Sequence, residues 1–135
     1  MASKQPEPSA VPRASVVQKE PSAVEKEPSA VQQMIGDIAP KLVELTDNVL
    51  FGDIWERPGL SPRDRSVITV SSLVSLNRTE QLPFHLRRAL DNGVTKDELI
   101  EMITHLAFYA GWPCTMSAIM LAKTVFAEPA YAEHV

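Results

Sequence analysis

Three features of this 135-residue chain predict an all-α fold. From Ile38 onward, apolar residues recur at spacings of three and four. Helix-start and helix-stop signals bracket each apolar run, and no stretch makes a convincing strand. Every Trp, Phe and Tyr lies beyond position 33. The division that follows is a tail over 1–33 and one helical domain over 34–135, with five or six helices.

The tail carries Pro6, Pro8, Pro12, Pro21 and Pro28 among Ser, Ala, Glu and Lys. Its apolar surface is too small to offset the entropy of ordering the backbone, so disorder is expected. EPSAV occurs at 7–11, 20–24 and 27–31, and the last two copies sit within KEPSAV. Units this short and proline-rich do not stack like solenoid repeats; an extended, solvated leader is the expectation.

Within the domain, Ile38, Leu42, Leu45, Val49 and Leu50 mark one apolar helix face. Phe51 and Trp55 extend it toward a break at Pro58-Gly59. Ser61-Pro62-Arg63-Asp64 is a helix start: a capping hydroxyl, a proline suited to the first position, and an acid at the positive end. Residues 62–76 are rich in Val, Ile, Ser and Thr, which makes a strand the rival reading, but their length favours a buried helix. A polar stretch from Asn77 ends at Pro83, which opens a helix containing Phe84, Leu86, Ala89 and Leu90. Asp91-Asn92-Gly93 stops it, with Gly93 free to turn left-handed. Thr95 and Glu98 then form a capping box for a helix through Leu99, Ile103, Leu106 and Ala110. After Gly111-Trp112-Pro113, a last helix runs from Cys114 to Phe126. Met34, Met102, Met116 and Met120 are expected in the core.

A net charge of -4 and the lack of a long basic run argue against nucleic acid as a partner. Cys114 is the single cysteine, so no internal disulfide or two-cysteine redox pair can form within the chain. No apolar run approaches the roughly 20 residues that span a membrane. The N-terminus has no apolar leader segment. A cytoplasmic location is the expectation.

Two stretches carry a resemblance: FGDIWERPGLSPRDRS at 51–66 and NRTEQLPFHLRRALDNGVTKDELIEMITHLAFYAGWP at 77–113. Together they resemble the carboxymuconolactone decarboxylase family, within the alkylhydroperoxidase-D-like superfamily. The resemblance implies an all-α fold whose subunits pack as homotrimers or homohexamers. The superfamily's peroxidase branch uses a CxxC pair, a His four residues on and an upstream Glu. With that His placed on His85, the cysteine positions hold Arg78 and Gln81, and the Glu position holds Ser66. Without a thiolate nucleophile and a resolving thiol the disulfide cycle cannot run, so peroxidase activity is not expected.

The decarboxylase branch matches instead through Asn77-Arg78 and His85. Before His85 the chain departs from that branch's pattern: Gln81-Leu82 replace an acidic residue, and Pro83 precedes Phe84. The resemblance implies decarboxylation of 4-carboxymuconolactone, or a related small carboxylated lactone, in aromatic catabolism. Loss of CO₂ from such a substrate drives electrons into its own unsaturated lactone, so no metal or organic cofactor is needed. The protein must hold carboxylates, stabilise charge on the lactone oxygen and deliver a proton to carbon. His85 is the candidate acid, Arg78 the candidate carboxylate clamp, and Glu80 a possible second acid or base. Arg63, Arg65 and His105 are candidate substrate-binding residues. A non-catalytic helical binding module is the alternative.

Overall fold

The computed structural model describes residues 27–132, so the readings for 1–26 and for the last three residues lie outside the described residues. The first element starts earlier than the tail boundary implied. Helix α1 spans Ala30–Ile35, and Ser29 caps it by accepting the Gln32 N–H. Ser29 also donates to Asp47 at 2.7 Å. The last EPSAV copy thus supplies a helix cap, a role serine plays well at the boundary of even a short helix.

Helix α2 (Pro40–Glu44) runs directly into a π-helical stretch, Leu45–Phe51. Gly52 closes it; a Cβ there would lie 2.8 Å from the carbonyl oxygens of Asp47 and Asn48. A 3-10 turn, Ile54–Glu56, buries Trp55. The apolar face foreseen on this segment is present but uncovered. Ile38 is 79% exposed and Leu42 55%, while Val43 is the residue that turns inward. The reason is that α1, α2 and the π-helical stretch make their main contacts with chain neighbours and stand apart from the core.

That core belongs to four helices: α3 (Pro62–Ser75), α4 (Leu82–Asp91), α5 (Lys96–Ala110) and α6 (Trp112–Phe126). The α3 segment is a helix, as its length predicted; Ser61 accepts the Asp64 N–H and Pro62 occupies the first turn. Val70, Val74, Leu82, Leu86, Leu99 and Ile103 interlock at its centre, and the small Ala89, Ala118 and Ala122 let α4 and α6 approach closely. Thr95 and Glu98 form the expected capping box on α5. Helix α6 begins at Trp112, two residues before the expected start, because Pro113 fits its first turn.

Two helix ends close the same way. After α4, Gly93 has φ +94°, with Gly93 N–H bonded to Leu90 O and Val94 N–H to Ala89 O. After α3, Asn77 takes the left-handed position at φ +53°, with matching bonds to Val74 O and from Arg78 N–H to Leu73 O. Both are Schellman closures. Asparagine tolerates that backbone better than other side chains, because its amide is short and polar.

The methionines correct one expectation. Met102 packs half-buried against the core, but Met34, Met116 and Met120 are exposed. Met116 and Met120 lie with Trp112 along one side of α6, near Phe108 and Tyr109 at the end of α5, so their spacing marks an outer stripe rather than the core. Among the described residues, no helix is long and apolar enough to cross a membrane.

Candidate active site

His85 sits on α4 with its Nδ1 buried and hydrogen-bonded to no protein group. Two rings touch it and a third backs them. The Trp55 indole stacks on it at 6.2 Å between centroids, with planes 21° apart. Phe84 meets it edge-on at 5.0 Å, and Phe51 closes the corner through Phe84 at 6.3 Å. The geometry depends on the irregular segment before α3. The π-helical stretch ends at Phe51 and the 3-10 turn then presents Trp55, so two aromatic residues four apart reach the same side of α4.

Arg88 lies one turn beyond His85 on the same helix face. Its guanidinium carbon is 4.5 Å from the Phe51 ring centroid and 4.6 Å from that of Trp55. Both contacts are cation–π interactions, which are stronger where water is excluded. Arg88 Nε is buried with no acceptor, and no acidic side chain among the described residues pairs with the group. Burial, and secondarily the Arg88 charge, hold the His85 imidazole below the usual histidine range. Arg65 reaches the same turn: its Nη2 donates to Arg57 O at 3.0 Å, and its Nε is also buried and unbonded.

The other candidates lie elsewhere. Arg63 and His105 line a shallow cavity of about 410 Å³ between α3 and α5, with Val67, Val94, Glu98, Glu101 and Met102. There Arg63 is hydrogen-bonded to Glu98. Glu98 already accepts the Thr95 N–H at 2.9 Å, and that bond, more than the arginine, keeps its carboxyl below the usual range. His105 is exposed and stacks on Tyr109 at 4.9 Å. Arg78 and Glu80 are exposed in the turn between α3 and α4, and no hydrogen bond or ion pair among the described residues joins their side chains to His85. The structure therefore brings His85 together with the turn held by Arg65, and Arg63 together with His105.

Arg88, Trp55 and Phe51 were not singled out from sequence as site residues. The available signal was a basic residue three positions after His85 and an aromatic pair four apart just before Pro58. Ser66, at the peroxidase branch's glutamate position, is buried and accepts from Asn92 Nδ2 at 3.0 Å. Cys114 is half-buried and free, on a different helix from His85. Among the described residues, no group of His, Cys, Asp and Glu is placed to hold a metal ion.

Known proteins share this arrangement of sequence. The chain is 45% identical over 78 residues to a 4-carboxymuconolactone decarboxylase from Acinetobacter baylyi, a match covering 58% of each protein. It is 36% identical over 83 residues to a nitrosuccinic acid decarboxylase from Metarhizium robertsii, covering 61% of this chain and 58% of that protein. An uncharacterized 15.0 kDa protein from Paracoccus denitrificans is 31% identical over 80 residues, covering 58% of this chain and 60% of its own length. The chain thus spans less than two thirds of the length of the relatives it matches. The sequence model of the carboxymuconolactone decarboxylase family matches residues 40–124, a span that takes in the aromatic turn, His85 and the four core helices up to the last two residues of α6, and the chain belongs to that family.

Proposed function

We propose that the protein is a cytoplasmic, cofactor-independent decarboxylase acting on 4-carboxymuconolactone or a related small carboxylated lactone in aromatic catabolism. The observation that carries this reading is His85: a half-buried imidazole under an indole, with an unbonded ring nitrogen and an unpaired guanidinium beside it. The named relatives support it from a second direction. Carboxymuconolactone and nitrosuccinic acid differ in skeleton, yet each acid carries its own electron-withdrawing group.

In the proposed reaction the bond to the departing carboxylate breaks and CO₂ leaves. The electron pair passes into the unsaturated lactone, His85 gives its proton to carbon, and the imidazole regains a proton from solvent. An imidazole held below its usual range donates readily once protonated, and the negative charge of an arriving substrate favours the protonated form. Arg78 and Glu80 stand at the helix turn before His85 and remain in the proposal as a clamp and a second acid or base that act when substrate is bound. Arg65 belongs to it through its hold on the Trp55 turn. Arg63 and His105 would bind the substrate's far end only if it reaches their cavity.

Self-association is part of the same reading. The exposed stripe of Phe108, Tyr109, Trp112, Met116 and Met120 is an apolar surface that a homotrimer or homohexamer would cover. The direct test is loss of ultraviolet absorbance from fresh 4-carboxymuconolactone, beside a His85→Ala variant. Turnover by the native chain that vanishes in the variant is expected. A well-folded native chain that leaves the lactone untouched would remove the named reaction.

A further inference from the structure

We propose that Arg88 binds the substrate's carboxylate on the in-plane edge of its guanidinium, next to His85; the assignment rests on the decarboxylase reading above. The argument is one of unanswered valence. The Phe51 and Trp55 ring centroids lie 4.5 and 4.6 Å from the guanidinium carbon and 6.1 Å from each other, so the rings flank the group on adjoining sides, and neither offers an oxygen acceptor to an N–H. The Nε–H lies in the plane of the group, is buried, and has no acceptor among the described residues. A buried donor left without an acceptor is destabilising, and a ligand that answers it removes that cost. A carboxylate can take Nε and a terminal nitrogen together through two parallel hydrogen bonds.

The neighbouring arginines differ in how far their donors are used. Arg87, the next residue on α4, makes a bidentate pair with Glu128, at 3.0 Å from Nε and 2.7 Å from Nη2. Arg63 is bonded to Glu98 in the separate cavity; Arg65 also keeps a buried Nε without an acceptor among the described residues, but its Nη2 is spent on the Arg57 carbonyl. Arg88 is the arginine of α4 that combines π-face support, a buried free edge and a place one turn from His85. The rings that hold it also fix its orientation, which lowers the entropy lost when a ligand binds. A small acid would meet this corner through its carboxylate, on the Arg88 edge beside His85.

The test reads binding without turnover. The full chain is titrated with succinate, and separately with uncharged succinamide, while NMR follows the His85 imidazole and the Trp55 indole. Succinate should shift both saturably and succinamide should shift neither. Arg88→Met should weaken succinate by about tenfold or more, the loss expected for a charge-assisted pair. Arg88→Lys keeps a cation over the rings and so protects the fold, but it lacks the planar fork and should also weaken binding. The proposal is overturned if either folded variant binds succinate as tightly as the native chain. It is equally overturned if the native chain shows no saturable shift, or if the shifts fall on His105 and Met102 instead. Turnover separates the two ideas. A chain that binds succinate through Arg88 yet consumes no lactone keeps this assignment and loses the reaction. A chain that consumes lactone with KM unchanged in Arg88→Lys keeps the reaction and loses the assignment.

Discussion

The cavity between α3 and α5 and the aromatic corner on α4 hold the same kinds of side chain, an arginine and a histidine, in opposite electrostatic conditions. In the cavity the positive charge is answered: Arg63 meets Glu98, and Glu98 also completes the cap of α5. In the corner no acidic side chain among the described residues answers it. Arg88 and His85 each keep a buried nitrogen without a partner, under rings that exclude water. The cavity is the clearer concavity and contains two residues singled out from sequence, yet its charges serve the fold. The proposed site follows unanswered valence rather than concavity, because a buried polar group without a partner persists only where something else compensates for it.

The largest effect that tests this contrast is on catalysis. His85→Ala should lower kcat on the lactone by about 10²–10⁴-fold, the usual loss for a general acid. His105→Ala should cost far less, and the reverse order in a steady-state assay would move the site to the cavity. Next comes Trp55→Ala. Trp55 is 7% exposed, and large-to-small changes at buried aromatics cost about 3–5 kcal/mol, to be read from the denaturant midpoint. An effect far below that would mean the corner is loosely packed and cannot hold Arg88 in place.

Smaller effects probe the cavity. Thr95→Ala removes the α5 cap and should lower stability by about 1 kcal/mol while leaving turnover intact. A much smaller loss would show that the Glu98 carboxylate, still bonded to the backbone N–H of residue 95, holds the helix start by itself. The last effect is on pH. His85 titrates lower in the folded chain than when unfolded, so the unfolded chain binds more protons between those two values. This contribution is therefore fully present above an unfolded value of about 6.5 and is lost as pH falls below it. Thermal melts across that range should show the slope, and His85→Gln should remove it. Glu98 and Glu128 act lower still. Glu98 is held down first by the Thr95 backbone and Glu128 first by Arg87, so their stabilisation is lost as acid protonates them.

By itself the sequence determined the helices and their ends, because those depend on local rules. Ser61 with Pro62, the Thr95–Glu98 capping box and Gly93 act on backbone groups within a turn of themselves. It also carried the family resemblance and His85, since motif order is a one-dimensional property. Tertiary structure decided which apolar faces are covered. Ile38 and Val49 have the same periodicity as Val70 and Val74, but only the second pair has helices packed against it. It decided too that the last EPSAV copy begins a helix, because Ser29 has Asp47 to bond with eighteen residues away. Above all it separated the arginines. Arg87 and Arg88 are neighbours with identical chemistry, and helical geometry sends one to Glu128 and the other over Phe51 and Trp55. A charge is free or paired only in relation to groups distant in sequence, and that relation exists once the chain has folded.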